Sequence, residues 1–200
     1  MNNIGRLLTA MVTPFDQEGN VDFQRASKLS KALVKSGSDG LVIGGTTGEA
    51  PTLSYDEKLQ LFSIVKESVG PEISVIAGTT DNNTQVSIDL SKDAEKLGVD
   101  GLLLTVPAYN KPTQEGLYKH FVKIADSVNI PGILYNVPSR TSFLVGHVTL
   151  KASCLTDWIN FNGLIIFLLT FGRSGGNRTP NLRFWRPALY QLSYTPKSLL

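Results

Sequence analysis

The 200 residues, 42% hydrophobic and 18% charged, describe one globular domain with enough apolar material for a sizeable core. A single cysteine, Cys154, excludes an internal disulfide framework, and two histidines, His120 and His147, are too few for a metal-ligand cluster, so no metal is expected. The net charge of +2 hides an asymmetry, because residues 1–150 hold 13 Lys and Arg against 16 Asp and Glu, whereas residues 151–200 hold six basic residues against Asp157 alone. Such a break marks a boundary. It divides the chain into a first domain over 1–150 and a basic, aromatic tail over 151–200.

Residues 1–6 show no basic stretch leading into an apolar run, so a cytoplasmic chain is expected. The first strand is predicted over 7–12 and the first helix over 23–35, where apolar residues recur at intervals of three and four. Short apolar runs at 41–43, 73–77, 102–105 and 133–136 predict buried parallel strands, and helical patterns at 54–69, 84–97 and 114–127 separate them. Ser54 with Glu57 three residues on has the form of a capping box, and Gly37, Gly70 and Gly98 fall where helix C-terminal glycines are wanted. Strands recurring with a helix in each interval imply right-handed βαβ units and a parallel sheet. Either a (β/α)8 TIM barrel or a doubly wound sheet satisfies that pattern. A whole barrel takes about 250 residues, so the five strands before residue 150 predict a truncated barrel of about five βα units.

Beyond residue 150 the periodicity dissolves. The apolar run over 164–169 is far shorter than the roughly 20 residues a bilayer requires, so no membrane partner is expected. From Gly172 onward, Gly175-Gly176, three prolines and arginines among aromatics follow no helical or strand period. A basic aromatic arm for nucleic acid has this composition. No patterned basic face accompanies it, so an irregular tail is the preferred expectation and nucleic acid is not an expected partner.

Gly44-Gly45-Thr46-Thr47-Gly48-Glu49 follows a strand and precedes a helix, where glycines let backbone N–H groups approach a carboxylate or phosphate. The threonine hydroxyls could equally cap the next helix. Loops at the C-terminal ends of barrel strands carry active sites, and Val106-Pro107-Ala108-Tyr109-Asn110-Lys111-Pro112 and Tyr135-Asn136-Val137-Pro138-Ser139-Arg140-Thr141 occupy the same kind of position. Tyr135, at a strand end, can relay protons in the barrel mouth if a neighbour such as Thr46 orients it, or it can be a rim tyrosine. Arg140 offers a planar fork for a substrate carboxylate, or it is a solvated loop charge. Spacing alone leaves both pairs of alternatives open.

Thr13-Pro14-Phe15, Gly45-Thr46-Thr47-Gly48-Glu49, Tyr109-Asn110-Lys111-Pro112 and Tyr135 to Thr141, in this order and at these separations, resemble the dihydrodipicolinate synthase family over residues 1–150. The resemblance implies a homotetrameric (β/α)8 lyase that condenses pyruvate with aspartate semialdehyde through a Schiff base, in lysine and diaminopimelate biosynthesis. It implies no cofactor. Carried over to this sequence, Thr46 and Thr47 would hold the pyruvate carboxylate, and Thr46 would link Tyr135 to Tyr109, the latter donated across a dimer interface. Tyr135 would assist imine formation and cyclisation, and Arg140 would bind the carboxylate of the semialdehyde. Ala108 stands where the family more often has tyrosine. N-acetylneuraminate lyase and the keto-deoxy sugar acid aldolases share the pyruvate half of such a site. Arg140 suits a small acidic aldehyde better than a polyol, which puts them second.

The family's Schiff-base lysine, on the sixth strand, falls near Gly163 in this sequence, and no lysine occurs between Lys151 and Lys197. A phenol or hydroxyl cannot form the imine that serves as electron sink. Three states of the chain are therefore conceivable: an active aldolase, an inactive fragment of one, and a binding module with a basic tail. The inactive fragment is preferred, with the family pattern left between residues 151 and 162. Beyond residue 160 the expectation is irregular chain or a loosely packed helix, with no sixth parallel strand bearing a lysine.

Overall fold

The computed structural model describes residues 4–137, Thr141 and the backbone of residues 165–168. Strands β1 (Leu8–Ala10), β2 (Gly40–Ile43), β3 (Ser74–Gly78), β4 (Gly101–Thr105) and β5 (Gly132–Asn136) alternate with helices α1 (Phe23–Lys35), α2 (Tyr55–Val69), α3 (Thr84–Lys96) and α4 (Gln114–Ala125). All neighbouring strands are parallel and their spatial order is their sequence order. A doubly wound sheet reverses its strand order at a switch point. The unbroken order here is that of a barrel wall, and it settles the choice between the two architectures in favour of the truncated (β/α)8 barrel.

One feature departs from expectation. A sixth strand, β6 (Ile165–Leu168), lies parallel to β5, with Ile133 opposite Ile165 and Tyr135 opposite Phe167. Irregular chain or a helix was expected there. A short apolar run carries no period of its own, and the open edge of β5 supplies the backbone partners that turn this one into a strand. The strand contains no lysine. Gly163, Cys154, His147, Lys151 and the rest of the tail lie outside the described residues.

The sheet is apolar on both faces, and side-chain alternation assigns each residue to one of two cores. Leu41, Ile43, Val75, Ala77, Leu102, Leu104 and Leu134 point outward, into one cluster with Leu33, Leu61, Phe62, Leu90, Leu117 and Ile124 of the helices. Leu8, Val42, Ile76, Leu103 and Ile133 point inward and form a second cluster, against which Tyr135 packs. Each such side chain contributes about 1.5–3 kcal/mol by leaving water. Gaps in the inward layer are set by backbone proximity: a Cβ on Gly78 would run into the Gly44 carbonyl, so β3 and the turn after β2 come together only because residue 78 is glycine, while Gly44 is called for by its own φ of 64.

Local chemistry fixes the helix starts. Asp22 caps α1 by accepting from Arg25 N at 2.9 Å, and Thr113 caps α4 by accepting from Gly116 N at 3.1 Å. The capping box forms as the sequence indicates, with Ser54 Oγ accepting from Glu57 N and Glu57 Oε2 accepting from Ser54 N. Two 3-10 turns, Thr46–Gly48 and Ala50–Thr52, fill the chain between β2 and α2. Because Ser54 caps α2, the hydroxyls of Thr46 and Thr47 are not helix caps.

His120 of α4 is 7% exposed; Thr84 Oγ1 lies 2.9 Å from its Nδ1, and its Nε2 has no hydrogen-bond partner among the described residues. Burial holds its pKa below the ordinary 6.5, outweighing the attraction of Asp81. The unfolded chain therefore takes up the proton first on acidification, so this contribution to stability is complete above about pH 6.5 and is lost as pH falls from there through the lower folded value. The midpoint of thermal unfolding should drop between pH 7 and pH 5 by more in the parent chain than in His120→Asn, which keeps a partner for Thr84 without titrating. Equal pH slopes for the two chains would show that His120 is not the group responsible.

Candidate active site

At the C-terminal ends of the strands, residues from four places in the sequence enclose a cavity of about 30 Å³, lined by Ala10 and Met11 at the end of β1, Val42 of β2 and Gly45 to Gly48 after it, Leu103 of β4 and Tyr135 of β5. A water needs roughly 10–15 Å³ on this measure, so the space admits a group the size of a carboxylate. Thr46, Thr47 and Tyr135 are the residues of its lining with polar side chains, and they stand beside the apolar Ala10, Met11, Val42 and Leu103. Two of the three candidate loops thus meet.

The turn that brings Thr46 and Thr47 to the cavity is held by short-range bonds, Gly48 N to Gly45 O at 3.0 Å and Glu49 N to Thr46 O at 3.2 Å. Glu49 closes it in the left-handed region at φ 56. From the side of β1, Thr13 Oγ1 donates to Gly48 O at 2.6 Å. Thr80 Oγ1 accepts from Thr105 N at 2.7 Å and ties the ends of β3 and β4 together beneath the rim. None of these supports is evident from the motif residues alone.

Tyr109 stands apart. It is 94% exposed on the loop after β4 and does not line the cavity. Its φ of 70, with Asn110 N donating to Ala108 O at 2.8 Å, makes a tight three-residue turn. This strained conformation is rare for a bulky residue, and it turns the ring away from the chain's own core. Lys111 follows, also left-handed at φ 46.

At the end of β5, Asn136 is 1% exposed and its Oδ1 accepts from Thr141 Oγ1 at 2.7 Å, while Thr141 N donates to Val137 O at 3.0 Å. Thr141 is therefore drawn back onto the strand end. Arg140, the candidate carboxylate fork, lies outside the described residues. Among the described residues no group of three or more His, Cys, Asp or Glu side chains could hold a metal, and no helix is long and apolar enough to cross a membrane.

Comparison with known proteins bears on the whole arrangement. The 4-hydroxy-tetrahydrodipicolinate synthase of Symbiobacterium thermophilum is 61% identical over 142 residues, which are 71% of this chain and 48% of that protein. A dihydrodipicolinate synthase crystal structure from Bacillus anthracis superposes with a TM-score of 0.77 at 45% identity, covering 84% of this chain and 56% of that one. The chloride-inhibited dihydrodipicolinate synthase of Acinetobacter baumannii, complexed with pyruvate, gives 0.76 at 40% identity over 83% of this chain and 56% of that one. The chain spans about half the length of the relatives it matches. The sequence pattern of the dihydrodipicolinate synthetase family matches residues 3–154. With strand order, rim loops and sequence in agreement, the chain belongs to that family.

Proposed function

We propose that the described half-barrel is the pyruvate-binding part of a 4-hydroxy-tetrahydrodipicolinate synthase, acting in lysine and diaminopimelate biosynthesis in the cytoplasm. The observation that carries this reading is the meeting of Thr46, Thr47 and Tyr135 around one carboxylate-sized cavity at the strand ends. Thr46 and Thr47 donate their hydroxyls to the carboxylate of pyruvate, and the backbone N–H groups of the glycine turn add to the cradle. Tyr135 faces the keto carbon, where its phenol can give and take a proton. Thr46 carries that proton path toward a tyrosine equivalent to Tyr109, supplied by a neighbouring subunit of a homotetramer. The 94% exposure of Tyr109 supports its donation outward. Arg140 binds the carboxylate of aspartate semialdehyde, the second substrate.

In this chain the cradle operates without the amine. The strand beside β5 reads Ile-Ile-Phe-Leu, and no lysine occurs between Lys151 and Lys197. The chain is thus a binding part without turnover. The test is an NMR titration with pyruvate: saturable binding is expected for the parent chain, weakened about tenfold or more in Thr46→Val through loss of one hydrogen bond to a charged group. No binding by the parent chain, or equal affinity in the folded variant, would remove the carboxylate assignment.

A further inference from the structure

The turn that presents Thr46 and Thr47 has little to hold it in place. Its internal bonds, from Gly48 N, Glu49 N and Ala50 N, all reach back no further than Gly45. Three-residue 3-10 segments have poor hydrogen-bond geometry and are weak on their own. Among the described residues, the one hydrogen bond that ties residues 46–53 to a distant part of the chain is Thr13 Oγ1 to Gly48 O, across 35 positions. Thr13 is 6% exposed, so its hydroxyl serves the turn and not solvent.

Packing supports the same contact. A Cβ on Gly48 would stand 3.1 Å from Met11 O and 3.2 Å from Thr13 Oγ1, so the turn lies flush against residues 11–13 with no slack. Met11 is itself part of the cavity wall beside Thr46 and Thr47. A shift of the turn against β1 therefore changes the cavity directly. Without the Thr13 hydroxyl the Gly48 carbonyl becomes a buried acceptor lacking a donor, and the turn must move to find water.

We propose that Thr13 is a positioning residue of the carboxylate cradle: through Gly48 it fixes the turn that aims the Thr46 and Thr47 hydroxyls. This rests on the carboxylate reading above. Within Thr13-Pro14-Phe15, Thr13 thereby links the loop after the first strand to the loop after the second.

The test compares the full chain with Thr13→Val, which keeps the shape and removes the donor, and Thr13→Ser, which keeps the donor. Amide hydrogen exchange at Gly48, Glu49 and Ala50 should accelerate about tenfold or more in Thr13→Val, with β3 and α3 unchanged, and pyruvate affinity should fall about tenfold, the loss of one hydrogen bond. Thr13→Ser should match the parent in both. Parent-like exchange in Thr13→Val, or parent-like pyruvate affinity where the parent binds and Thr46→Val does not, overturns the role of Thr13 and leaves the carboxylate reading standing. Loss in Thr13→Ser equal to that in Thr13→Val also overturns it, because the methyl and not the hydroxyl would then be responsible. Loosened amides in a family of chains that all fail to bind pyruvate support the positioning role and defeat the carboxylate reading. Should Thr13→Val not fold, Gly48→Ala reaches the same contact from the other side, and unchanged exchange and affinity there carry the same overturning weight.

Discussion

Incubation of the purified chain with pyruvate and borohydride is expected to leave its mass unchanged. Imine formation needs an unprotonated amine held beside the keto carbon, and reduction would fix such an adduct as a permanent mass increase. Lysine amines in ordinary surroundings titrate near about 10.4 and are charged at neutral pH, which leaves them poor nucleophiles. Lys111, the lysine nearest in sequence to Tyr109, lies on the loop after β4 and does not line the cavity. Lys58 is half buried, and burial lowers its pKa against the opposing attraction of Asp81. It is the described lysine most open to adventitious reaction, yet it too is absent from the cavity lining. A borohydride-dependent increase mapped by peptide mass to any lysine would show a substitute nucleophile and restore an active aldolase. A full-length relative with its lysine supplies the positive control.

The barrel wall was legible because each βα unit repeats the same local physics. Helix α1 begins and ends where its apolar spacing places it, and the box at Ser54 and Glu57 marks the start of α2 to the residue. The two faces of the sheet were not legible. Leu41, Val42 and Ile43 are all apolar, so nothing in their chemistry says that Val42 alone points inward. Strand β6 was missed for a related reason. Six apolar residues over 164–169 have no period of their own and read equally as strand or buried helix, and the deciding factor, the free edge of β5, is a tertiary one.

In the site, the glycines around Thr46 and the strand-end position of Tyr135 carried the signal, since both follow from where loops leave a barrel. What escaped were contacts between residues far apart in sequence. Thr13 reaches Gly48 over 35 positions, and no periodicity encodes that distance. The left-handed turn at Tyr109 was equally hidden, because a tyrosine gives no local hint of a positive φ.

Replacing Asp100 with alanine is expected to destabilise the chain by about 1–3 kcal/mol, because a half-buried ion pair loses one member and a backbone N–H loses its acceptor. At the end of the barrel opposite the cavity, Lys66 Nζ of α2 lies 2.6 Å from Asp100 Oδ2, with side chains only 18% and 12% exposed. The same carboxylate oxygen accepts from Val75 N at 2.8 Å, and Lys66 also donates toward Ile73 O at 3.4 Å. One carboxylate thus joins α2, the start of β3 and the residue before β4. Its loss strands the ammonium and the Val75 N–H together, whereas Lys66→Met leaves Asp100 with a backbone donor and should cost less. Urea unfolding of both variants and the double variant closes a mutant cycle, and the double variant should recover part of the loss because no half-buried ammonium is left without its counter-charge. Pyruvate binding should be unaffected in folded material, since the pair touches none of the cavity residues. A cost below about 1 kcal/mol for Asp100→Ala, the range of a solvent-screened surface pair, would show that water reaches this ion pair and that the barrel's lower end is held by its apolar layer alone.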